Sequence, residues 1–272
     1  MTNARFDGRV ALITGASSGI GAALARELAA QGADLALVAR RADRIEALAA
    51  ELRARGRRVL PVRGDVTLDG DIERAAACAR TELGRIDIVV ANAGFGVAGR
   101  IDQLGLDDYR RQFETNVFGV LRTVQATLDD LRRSRGRLVL IGSVAGHVSL
   151  PGNSAYGMSK FAVRALAQSL RHELARDGIA VVLISPGYIE SEFRQVDNRG
   201  VLHPDARDSA HPRLVMPAAA AARQIARAIA RGRREQVITR HGKVAVWLSR
   251  HCPWLVDLGI RRLGFRGREE PR

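Results

Sequence analysis

Short apolar runs alternate with stretches of helical periodicity along almost the whole of this chain. The runs are Val10 to Thr14, Leu35 to Ala39, Val59 to Val62, Ile86 to Ala91, Arg137 to Ile141, Ile179 to Ile184 and Gln236 to Thr239. Nearly unbroken apolar strands of this length belong to a parallel sheet buried on both faces. Helices are expected between them: Ile20 to about Ala30, Ala42 to about Arg55, Asp71 to Leu83, about Asp107 to Arg132, one that carries Tyr156 and Lys160 on to about Arg176, and Pro217 to about Ala230. Proline at a first-turn position suits the last of these. The alternation predicts a single α/β domain, a doubly wound, parallel seven-stranded sheet inside a three-layer αβα sandwich. No linker divides it, and no repeat is visible beyond the alternation itself.

Candidate chemistry sits where strands end. Thr14-Gly15-Ala16-Ser17-Ser18-Gly19-Ile20-Gly21 follows the first strand and opens the first helix. Glycines there permit a tight turn and close approach of a pyrophosphate, which the helix N-terminus attracts through free N–H groups and its dipole. In this strand-turn-helix setting the string is specific. The second strand ends in Val38-Ala39-Arg40-Arg41, with no carboxylate before Asp43. An acidic residue there would bind a ribose 2′-hydroxyl, whereas a guanidinium fork at Arg40 suits a 2′-phosphate. The expected cofactor is NADP(H).

Of the 43 basic residues only Lys160 and Lys243 are lysine. Lys160 falls four residues after Tyr156, which puts phenol and ammonium on one helix face. A tyrosine hydroxyl is a poor acid or base at neutral pH, with a pKa of ~10. A cation ~4 Å away at an effective dielectric of ~20 would favour the phenolate by roughly 4 kcal/mol, about three pKa units. That would poise Tyr156 for general acid/base work.

The glycine loop and Tyr156-x-x-x-Lys160 together resemble the short-chain dehydrogenase/reductase family, over roughly Arg9 to Gly187. The resemblance implies a Rossmann-type fold and NADP(H)-dependent hydride transfer between a carbonyl and a secondary alcohol. It implies that Asn116, Ser143, Tyr156 and Lys160 are catalytic, with Ser143 thirteen residues before Tyr156, and that Asn116 bends its helix and holds a water leading from the lysine to solvent. It assigns cofactor contacts to Gly15, Ser17, Ser18, Gly19, Ile20, Gly21, Arg40, Arg41, Asp65, Val66, Asn92, Ala93, Gly94, Tyr156, Lys160, Pro186, Gly187, Ile189 and Ser191. Two departures stand out: Ala91 where asparagine is usual, and Ser191 where threonine is usual. Glu190 to Val215 would form a variable lid, with Phe193, Tyr188 and Phe95-Gly96-Val97 as candidate pocket walls. A homodimer or homotetramer is expected from the family alone.

Composition narrows the setting. Cys78 and Cys252 are too few for a disulfide framework and lie in no metal-ligand spacing, so a reducing cytoplasm and no metal are expected. No signal peptide is expected before the first strand, and no apolar run reaches the ~18 residues of a membrane span. The net charge of +14 admits nucleic acid, an anionic membrane or an acidic partner. At 4% aromatics there are few platforms for base stacking, and no nucleic-acid partner is expected. Residues 1–240 read as the cofactor-binding catalytic domain and 241–272 as a basic amphipathic extension. Its tryptophans and arginines suit either a membrane surface, such as the inner face of the cell membrane, or packing within an assembly. The extension favours a lipophilic ketone or alcohol as substrate over a 3-oxoacyl group on an acyl carrier protein. A cofactor sensor or nucleic-acid-binding protein on the same fold is a third reading.

Overall fold

A computed structural model describes residues 5–206 and 210–263. Seven strands form one sheet: β1 (Val10–Thr14), β2 (Asp34–Ala39), β3 (Val59–Arg63), β4 (Ile88–Ala91), β5 (Arg137–Ile141), β6 (Ala180–Ser185) and β7 (Glu235–Val237). Every pairing is parallel, in the order β3-β2-β1-β4-β5-β6-β7. The chain winds outward one way to β3, then returns to the middle and winds the other way. This places a switch point between β1 and β4, where the loops at the strands' carboxyl ends part and leave a crevice.

Alternate strand residues feed two cores, as a sheet covered on both faces requires. Ala11, Ile13, Leu35, Leu37, Val90 and Ile184 face one layer, made by α1 (Gly19–Ala30), α2 (Ala42–Arg53) and α7 (Ala218–Ala230). Leu12, Ala36, Val38, Val89, Leu138 and Leu183 face the other, made by α3 (Asp71–Leu83), α5 (Gly119–Ser134) and α6 (Ser154–Glu173). Alanine is frequent on the inner faces of α1 and α7, which lets these helices pack closely on the sheet and on each other.

The single helix expected from Asp107 to Arg132 is instead α4 (Leu106–Phe113), a wide π turn over Glu114–Phe118, and α5. An extra residue per turn at this point swings Asn116 inward, where it is fully buried. Beyond β7 come α8 (Arg240–His251) and α9 (Pro253–Leu263). Residues 264–272 of the expected extension, and 207–209 of the expected lid, lie outside the described residues. Among the described residues no helix is long and apolar enough to cross a membrane.

Candidate active site

The glycine loop is built by close approach. Gly15 has a φ of 66°, and a Cβ on it would come 2.8 Å from Ala93 Cα. At Gly21 a Cβ would lie 2.3 Å from the Gly15 carbonyl oxygen. Ser18 precedes α1 without bonding its own side chain to the helix amides. It therefore leaves the first-turn N–H groups open to another acceptor, an arrangement that fits a phosphate. Thr14 and Asn92 lock this loop to the turn after β4. Thr14 Oγ1 accepts from the Asn92 and Ala93 amides at 3.1 and 3.2 Å. Asn92 Nδ2 donates to the Thr14 and Gly15 carbonyls at 2.9 and 3.1 Å.

The two arginines after β2 have different surroundings. Arg40 is largely exposed, its Nη1 3.9 Å from Asp65. Arg41 turns inward and donates from Nη2 to Ser17 Oγ and Ser18 Oγ at 3.0 and 2.8 Å. Val66, beside Asp65, packs into the core against α5, where a Cβ on Gly119 would lie 2.6 Å from its side chain.

Ser143, Tyr156, Lys160 and Asn116 converge on α6 and its neighbours. Ser143 leaves β5 at the head of a short turn, and its Oγ accepts from the Ala145 amide at 3.1 Å. That turn lies directly on α6, because a Cβ on Gly146 would meet the Lys160 carbonyl at 2.7 Å. Lys160 is only 5% exposed. Its Nζ donates to the Ile141 carbonyl at 2.9 Å and lies 5.8 Å from the centre of the Tyr156 ring. Burial lowers its pKa to about 8, so the amine is still charged at neutral pH. Asn116 Oδ1 accepts from the Phe95 amide at 3.1 Å, while Nδ2 donates to the Phe95 carbonyl and to Ser159 Oγ. With both amide hydrogens engaged, the side chain braces the 95–97 loop against α6.

The segment after β6 closes over this corner. The Pro186 carbonyl accepts from the Val144 amide, tying the Pro186-Gly187 turn to the Ser143 turn. Ile189 is buried, and its carbonyl accepts from Ser191 Oγ and Arg194. Ser191 rests on the glycine loop, since a Cβ on Gly19 would come 2.9 Å from the serine Cβ. Phe193 lies over Tyr156, ring centres 5.5 Å apart, and Tyr188 faces His241 at 5.6 Å. Val97 is buried.

Several residues of this region escaped the sequence reading. Gln112 holds Phe95 and Val97, and Ser159 bonds both Asn116 and the Tyr156 carbonyl. A buried polar residue at helical spacing from Asn116 was the available signal for Gln112. The beginning of α8 also belongs to the site: a Cβ on Gly187 would meet Thr239 Oγ1 at 2.3 Å, and one on Gly242 would meet Val144 at 2.7 Å. Glu192 is a further omission. It accepts from Arg41 at 2.8 Å and from Arg44 at 2.6 Å. A cleft of about 720 Å³ opens beside this cluster, between the glycine loop, α1, α2 and the 190–218 segment, and is not lined by Tyr156 or Lys160.

Comparison with known proteins agrees with this fold. A family model described as short chain dehydrogenase matches residues 9–201. An oxidoreductase of Mycobacterium tuberculosis is 44% identical over 186 residues, covering 67% of this chain and 74% of that protein. The 11-beta-hydroxysteroid dehydrogenase 1A of Arabidopsis thaliana is 35% identical over 270 residues, 96% of this chain and 76% of its own length. A short chain dehydrogenase/reductase from Burkholderia phymatum, solved in complex with NAD, superposes with a TM-score of 0.81 at 27% identity, over 98% of this chain and 99% of that one. An alcohol dehydrogenase from the archaeon Thermococcus sibiricus, complexed with 5-hydroxy-NADP, gives 0.75 at 30% identity, over 85% of this chain and 96% of that one.

Proposed function

The chain belongs to the short-chain dehydrogenase family, and from that premise we propose that it is an NADP(H)-dependent oxidoreductase interconverting a carbonyl and a secondary alcohol on a lipophilic small molecule. The observation that carries the reading is the packing of Tyr156, Lys160 and the Ser143 turn into one corner, with Lys160 Nζ 5.8 Å from the tyrosine ring centre. The glycine loop and the open first turn of α1 would hold the pyrophosphate, and Arg40 and Arg41 the 2′-phosphate. Bound NADPH supplies a hydride at nicotinamide C4.

In the reducing direction Tyr156 gives its phenolic proton to the substrate oxygen. The Ala145 amide takes a lone pair of Ser143 Oγ, which leaves the hydroxyl hydrogen for the same oxygen as negative charge develops there. Lys160 uses one of its three protons on Ile141 and keeps the others for the tyrosine and for the ribose hydroxyls. Its charge near the ring favours the phenolate left after proton transfer. Asn116 fixes the wall beside Tyr156 and Lys160 through Phe95 and Ser159, and a water on its remaining lone pair would complete the proton path. Replacing Tyr156 with Phe tests these roles: turnover should vanish while NADPH binds as in the wild type, and retained turnover would refute the assignment.

A lipophilic substrate is supported by α8, which walls the Ser143 and Gly187 turns and carries exposed Val244 and Trp247. Trp254, Leu255 and Leu258 extend the exposed apolar surface along α9. Arg240, Lys243, Arg250, Arg261 and Arg262 lie on the same two helices, whose one acid is Asp257. Cationic and aromatic together, this face fits an anionic lipid surface from which a lipophilic ketone could enter. The hydroxysteroid dehydrogenase of Arabidopsis matches 96% of this chain. The net charge of +14 favours the competing reading, a 3-oxoacyl substrate on an acidic carrier. NADPH oxidation with steroid-like ketones against carrier-linked 3-oxoacyl groups separates them. Co-sedimentation with phosphatidylglycerol vesicles, lost when Trp247 and Trp254 become Ser, is the matching result for the lipid surface.

A further inference from the structure

Glu192 sits on the arginines that would read the cofactor's phosphate. Arg41 precedes α2 and Arg44 lies in its first turn, and both guanidiniums reach the same carboxylate, at 2.8 and 2.6 Å. Arg41 is also held by Ser17 and Ser18 of the glycine loop. The end of β2 beside that loop is where the adenosine ribose of a dinucleotide is read in this type of fold. Glu192 arrives from far along the chain, at the head of the short turn Glu192–Gln195 after β6. Burial alone would raise its carboxyl pKa, but the Arg44 and Arg41 hydrogen bonds outweigh that and hold it below the ordinary value.

We propose that Glu192 is a specificity-determining residue that competes with the ribose 2′-phosphate of NADP(H) for Arg41 and Arg44. The proposal rests on the NADP(H) reading above and goes further, because it places a built-in opponent of that cofactor on the chain itself. A carboxylate and a phosphate ask the same thing of a guanidinium fork. If Glu192 stays in place when the phosphate arrives, two anions share the same cations. If it leaves, its two ion pairs break. Either response weakens binding of the phosphorylated cofactor, and NAD(H), with a 2′-hydroxyl, meets neither penalty. Arg40 stands outside the Glu192 contacts, near Asp65, and would bind phosphate in both cases.

The test is calorimetric titration of the full chain with NADPH, NADH, adenosine 2′,5′-bisphosphate and 5′-AMP, for wild type, Glu192→Gln and Glu192→Ala. Two partly exposed ion pairs imply that both variants bind NADPH and the bisphosphate about three- to tenfold more tightly, with NADH and 5′-AMP changed by less than about twofold. An unchanged NADPH-to-NADH ratio in both variants would overturn the proposal. So would equal weakening of both cofactors, since Glu192 would then be a clasp that closes the lid over any dinucleotide. The NADP(H) reading is judged separately, on the wild-type ratio alone: a wild type that prefers NADH defeats that reading, whereas the role of Glu192 is read from the change between variant and wild type.

Discussion

Lys160 is held in the fold at the expense of stability, and the size of that effect can be worked out. The side chain is buried, and burial lowers its pKa from 10.5 to about 8. Between those two values the unfolded chain binds the extra proton, so stability rises with pH through that window, and below pH 8 the full penalty of a charged buried ammonium is present. A difference of 10.5 − 8 = 2.5 units corresponds to roughly 3 kcal/mol at neutral pH. Lys160→Met removes the titration and leaves the Ile141 carbonyl without its donor, a pH-independent loss of about 1–3 kcal/mol. The stability of the variant relative to wild type should therefore move in the variant's favour by roughly 2.5 kcal/mol as the pH falls from about 10 to about 7. Urea denaturation followed by circular dichroism at unit pH steps measures this, since titrations common to both proteins cancel. The variant should be inactive throughout. Parallel stability profiles would refute the argument, because they would mean that the ammonium is not buried in the folded protein as described.

Three further outcomes follow from the site. Gly21→Ala puts a methyl 2.3 Å from the Gly15 carbonyl, so the loop must shift, and affinity for NADPH should fall by about tenfold or more in a binding titration. Asn116→Ala strands the Phe95 amide and leaves its carbonyl with Gln112 as donor, and should cost about 1–3 kcal/mol in chemical denaturation, with turnover reduced as the 95–97 loop loosens. Burial, reinforced by Arg164 and Arg250 and opposed by Glu235, lowers His147 from 6.5 to about 4. The unfolded chain takes up that proton first as the medium is acidified, so wild-type stability should drop between pH 6.5 and 4, and His147→Gln should show a smaller drop.

Fold and site differ in how far the chain alone discloses them. Strands such as Leu35–Ala39 and Arg137–Ile141, the second apolar after its first residue, have this pattern because both sheet faces are covered, so their positions are plain in the sequence and lie within a residue of β2 and β5. The glycine loop and the Tyr156/Lys160 pair are local, eight and five residues long, and periodicity places them. Long-range partners carry no such signature. Nothing near Glu192 in the chain indicates that it will meet Arg41, 151 residues away. The π turn was hidden for a related reason: Glu114–Phe118 has a continuous helical pattern on both sides, and only Asn116, a poor helix former, marks the place. Tyr156 and Lys160 share a face as their spacing requires. The lysine nitrogen, however, is drawn toward the Ile141 carbonyl at the end of β5, an acceptor that helical spacing alone does not indicate.

Incubation with NADPH carrying deuterium at both C4 positions of the nicotinamide and a panel of lipophilic ketones, with mass spectrometry of the alcohol product, tests the central claim most directly. The account predicts deuterium on the carbinol carbon with wild-type protein and no labelled alcohol with Tyr156→Phe. Unlabelled alcohol from the wild type, or labelled alcohol formed equally well by the variant, would contradict it.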